Sequence, residues 1–134
     1  MSTRAVLAIQ GVGTDKKTLY VIRHDGSPDN ILPDLKKRAE RHISALGFKR
    51  QLSGSKWEKI GTTEDSLIKW IEKGNEFWAS YGYLYQQYDN GNGILIRVYE
   101  LYFKGIYKTY NVKGNPIELE KPHFRVLKTI KFKR

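Results

Sequence analysis

The sequence predicts an α+β fold, a mainly antiparallel sheet of about six strands with two helices packed on one face, in the order ββααββββ. Two runs rich in β-formers open the chain, and four more fill its second half. Between them the apolar spacing changes from two residues to three or four. At 134 residues, with no repeat, low-complexity tract or linker, the chain reads as a single domain over 1–134.

The elements follow in order. Residues 4–10 (RAVLAIQ) and 18–24 (TLYVIRH) read as strands joined by the Gly-rich loop GVGTDKK. Leu32, Leu35, Ala39, Ile43 and Leu46 mark one helix face. Asp29 or Asn30 is expected to cap this helix, Pro33 to sit in its first turn, and Gly47 to end it. Residues 49–62 are irregular, with room for a short strand at Trp57. A second helix is expected from Thr63, with Leu67, Ile68, Trp70 and Ile71 buried and Lys73-Gly74 at its end. Strands then read over 77–88, 94–104, 106–112 and 123–134, with DNGNG as a hairpin and Gly105 as a break or bulge. Tyr81, Tyr83 and Tyr85 share one face of the third strand. That face is expected in the core, and a base-stacking platform is the alternative.

Charge is the strongest functional signal. Lys and Arg total 24 against 14 Asp and Glu, a formal net charge of +10. Such a balance favours polyanions. The absence of cysteine removes disulfides, thiol catalysis and cysteine zinc sites, and fits a cytoplasmic location in a host cell. No apolar run approaches the roughly 20 residues of a membrane helix, so no membrane partner is expected. The loop GVGTDKKT lacks P-loop spacing, and no cofactor motif or metal-ligand spacing is present.

The stretch YVIRHDGSPDN (20–30) admits a chemical and a structural reading. TLYVIRHDG resembles the opening of the histidine phosphatases, which would make His24 a phosphate acceptor among arginines. Asp25, however, stands between His24 and Gly26, where an anion would have to sit. His24, Asp25 and Asp29 are also hard-cation ligand types, without the spacing of a defined metal loop. The structural reading employs every residue: Arg23 and His24 end a strand, Asp25-Gly26 turns, Pro28 stiffens and Asp29/Asn30 cap. A ligand or catalytic site at Arg23, His24 and Asp25 is the alternative.

MSTRA, the hairpin, YVIRHDGSPDNILPDLKK and the later YGYLYQQY together resemble a group of small phage and bacterial proteins. These begin Met-Ser-Thr-Arg-Ala and carry an Arg-His-x-Asp-Gly-x-Pro turn. The chain departs from that pattern at Ser27, where an aromatic is common, and is one residue shorter before Asp25. The resemblance implies no catalytic residue. It implies a setting, that of phage or mobile-element accessory proteins acting on host machinery.

Non-enzymatic binding to nucleic acid or an acidic host protein is therefore expected, through Lys36, Lys37, Arg38, Arg41, Arg125, Lys131 and Lys133 acting as point charges. Arg125, Leu127, Thr129, Lys131 and Lys133 are expected on one face of the last strand. Should that strand form a sheet edge, a homodimer through it is a further expectation.

Overall fold

The computed structural model describes residues 3–72 and 79–134. Its elements are β1 (Ala5–Gln10), β2 (Lys17–Ile22), α1 (Pro28–Glu40), α2 (Ala45–Leu52), β3 (Glu58–Thr63), α3 (Leu67–Glu72), β4 (Tyr81–Tyr88), β5 (Gly93–Tyr110) and β6 (Pro116–Lys133). The six strands form one sheet in the order β3-β2-β1-β4-β5-β6. Every pairing is antiparallel except β1 with β4. The fold class is the one the sequence predicts. The expected ends at Lys73-Gly74 and Phe77-Trp78 lie outside the described residues, as does the expected burial of the Ile71 side chain.

Strand alternation sends Leu7, Ile9, Tyr20, Tyr83, Tyr85, Ile94 and Ile96 to one face, where Leu35 and Ala39 of α1 and Phe48 of α2 cover them. Val6, Ala8, Leu19, Leu84, Leu95 and Tyr99 point to the other face, packed with Leu67 of α3 and Phe124 of β6. The two helices on one face are thus α1 and α2. The helix expected from Thr63 is a six-residue helix on the opposite face.

The single helix expected through Leu46 is broken at 41–44. His42 takes a left-handed φ of 52°. Its N–H donates to Ala39 O and that of Ile43 to Arg38 O, closing the end of α1. Ser44 then starts α2 by accepting from Gly47 N at 3.0 Å, so Gly47 lies inside a helix. The break turns Leu46 outward, 56% exposed instead of buried. The α1 N-cap is Ser27, with Pro28 at the first helical position, and Pro33 falls in the second turn. The buried His42 Nδ1 has no hydrogen-bond partner among the described residues. His42→Gly is therefore expected to stabilise the fold by about 1 kcal/mol, read as a higher urea midpoint at unchanged slope.

Tyr83 and Tyr85, both 0% exposed, belong to the core and offer no stacking platform. The Tyr83 hydroxyl donates to Gly26 O and the Tyr85 hydroxyl to Ile43 O, each at 2.7 Å. Two residues of one central strand thus hold the turns at the two ends of α1. Burial pushes both phenols above their ordinary 10.0, so both remain protonated donors.

β5 and β6 each run 18 residues, about 60 Å of extended chain. Gly105, at φ 81°, bulges β5 without ending it. Among the described residues β4 pairs with β5 as far as Glu100, and the distal ribbon has two strands. A second register shift occurs in β6: Val98 pairs with Lys128 and Tyr99 with Val126, which leaves Leu127 unopposed. This bulge reverses the alternation. Lys131 and Lys133, opposite Leu95 and Gly93, point to the α3 face, whereas Arg125, opposite Glu100, points to the α1/α2 face. The five residues expected on one face are divided between two.

Candidate anion-binding cleft

Arg23, His24 and Asp25 are exposed, and Arg23 pairs with Glu58 at 3.4 Å. Asp25 turns the chain at φ 59°, and Gly26 docks it: its N–H donates to Thr3 O at 2.9 Å. A Cβ on Gly26 would lie 2.7 Å from the Ala5 Cβ and 2.9 Å from Thr3 O, so only glycine fits. The turn has the geometry of a fastening for α1. Among the described residues no group of three or more His, Asp or Glu could hold a metal ion.

The seven expected cations divide three ways. Lys36, Lys37, Arg38 and Arg41 lie on α1 or its C-cap, over the β5 side of the sheet. Arg38 is committed to packing: it donates to Asp34 at 3.0 Å and to Gln51 of α2, and lies 4.4 Å over the Phe48 ring. Arg125 meets Glu100 at 3.5 Å and stands over Tyr102. On the other face Lys133 meets Asp89 at 3.3 Å, and Lys131 stands over Tyr88. No single patch gathers all seven.

Different cations converge at the opposite edge of the sheet. The last turn of α2 and the loop after it stand away from β2 and β3, leaving a cleft of about 470 Å³. Lys49 and Arg50 supply charge from α2, and Lys59 supplies it from β3. Lys59 pairs with Tyr20 across the β2–β3 ladder, so both project to this face. Half-buried Trp57 and buried Tyr20 give aromatic walls, Leu52 is apolar, and Thr18 and Ser53 bring hydroxyls. Burial raises the Tyr20 phenol above its ordinary value, so its hydroxyl is a neutral donor. No carboxylate is among the described lining residues. The neighbouring Glu58 is occupied by Arg23.

This cleft escaped sequence reading because its parts come from a helix, a loop and an edge strand within a stretch that reads as irregular. A signal was present in SKWEK, a tryptophan between lysines on a segment too polar to be core. No family model, curated protein or solved structure matches the chain. No helix among the described residues is long and apolar enough to cross a membrane.

Proposed function

We propose that the protein binds single-stranded nucleic acid, without catalysis, through the cleft between α2 and the β2–β3 edge. The observation that carries this reading is Trp57 standing among Lys49, Arg50 and Lys59 with no carboxylate among the described lining residues. A planar aromatic side chain stacks on a base, and flanking cations take the phosphates on either side of it. A cleft of about 470 Å³ admits a nucleotide unit but not a duplex, whose bases are already stacked away. An acidic protein surface would answer the cations, whereas a single strand answers the cations and the ring together. The net charge of +10 adds long-range attraction for the polyanion. The resemblance to phage accessory proteins supplies a compatible setting, in which the target would lie in the host cytoplasm.

Fluorescence anisotropy of a labelled oligonucleotide, titrated at several salt concentrations, tests the reading. With three cations on phosphates, log K is expected to fall against log salt with a slope of about −2. Single strands are expected to bind more tightly than duplexes of the same length. Equal affinity for both, or no binding at low salt, would show that the cleft serves another ligand.

A further inference from the structure

We infer that β6 is a self-pairing edge and that the protein forms a symmetric dimer through it. Among the described residues β6 is the last strand of the sheet over its whole 18 residues, and none of them pairs with the outer side of its backbone. The distal ribbon needs support that one copy does not give. Beyond the end of β4 it has two strands among the described residues, and a two-stranded ribbon is marginal in water. Yet it exposes Ile106 by 65% and Tyr110 by 73%. A second β6 alongside converts each ribbon into part of a wider sheet.

The sequence of β6 identifies the occupant as another copy of itself. Its N-terminal half carries Glu118 and Glu120, and its C-terminal half carries Lys131 and Lys133. All four project to the α3 face, as their partners across the β5–β6 ladder show: Lys108, Ile106, Leu95 and Gly93. An antiparallel pairing centred on Arg125, passing over Leu127 as β5 does, sets Phe124 opposite Val126. The same register sets Glu120 opposite Lys131 and Glu118 opposite Lys133, twice over by symmetry. Arg125 meets its own copy at the twofold axis, each guanidinium already 3.5 Å from Glu100. A parallel pairing would instead align like charges. Pro116 and Pro122 leave β6 without two backbone donors, so side chains carry part of the contact and the charges select its register.

Light scattering after size exclusion tests this over a range of protein concentrations. The expected mass is twice 15.6 kDa at low and high salt alike, because apolar burial and ladder bonds hold the contact. Glu118→Lys with Glu120→Lys is expected to shift the low-salt protein to monomer. Adding Lys131→Glu and Lys133→Glu in the same chain is expected to restore the dimer, with circular dichroism showing an intact fold in each variant. A wild-type mass of 15.6 kDa at every concentration overturns the inference and leaves the edge to a different partner. A dimer indifferent to both charge changes overturns it as well.

Discussion

Tyr83→Ala is expected to lower the unfolding free energy by about 4 kcal/mol, and Tyr83→Phe by about 1–2 kcal/mol. The alanine variant removes a fully buried ring from the centre of the sheet and leaves a cavity between β4 and the start of α1. The phenylalanine variant keeps the ring and strips Gly26 O of its 2.7 Å donor. That carbonyl belongs to the turn for which the sequence offers a catalytic site as the alternative reading. His24→Ala, two residues before it, alters an exposed side chain and is expected to change stability by less than about 0.5 kcal/mol. Urea midpoints at constant slope measure all three. A loss for His24→Ala as large as for Tyr83→Phe would show that the imidazole, and not Gly26, fastens the turn.

The same tyrosines make a pH-dependent contribution to stability at the alkaline end. Burial raises the folded pKa of Tyr83 and Tyr85 above the unfolded 10.0. The unfolded chain therefore ionises first. Their contribution is fully present below pH 10.0 and is lost as the pH climbs from there toward the higher folded values.

What the sequence revealed depended on whether neighbours along the chain decide a feature. Strand faces were legible, because alternation at Leu7, Ile9, Tyr83 and Tyr85 needs only the backbone period. So were the Asp25-Gly26 and Asp89–Gly91 turns. The helix break was not, because Ile43 and Leu46 keep the helical spacing straight through it. His42 takes the left-handed φ that ends α1, and Tyr85 holds the next carbonyl, Ile43 O, from 42 positions away. The side of Arg125 was likewise hidden. One unopposed residue, Leu127, reverses the faces of β6, and a bulge is set by the partner strand as much as by its own sequence. The cleft lay furthest from view. Counting charges located the basic segments, but Lys49, Arg50 and Lys59 meet only because β3 pairs with β2 beneath the end of α2.

That convergence is where variants should separate stacking from charge. Trp57→Ala is expected to weaken oligonucleotide binding by about 10- to 100-fold while leaving the salt slope near its wild-type value, because stacking releases no counterions. Lys49→Glu with Arg50→Glu is expected to cost about 100-fold at low salt and to bring the slope close to zero, since two phosphate contacts become repulsions. The comparison variant is Lys36→Glu with Lys37→Glu, which reverses the same number of charges on α1, toward the β5 side of the sheet. Neither residue lines the cleft, so the change is expected to weaken binding by less than about 5-fold, with the slope retained. Anisotropy titrations of the three variants at common salt concentrations give slope and intercept together. Equal losses for the α1 pair and the α2 pair would mean that net charge, spread over the surface, holds the strand. A steep loss confined to Lys49, Arg50 and Trp57 would place the strand in the cleft, where a helix end and an edge strand bring a ring and three cations within reach of a single nucleotide.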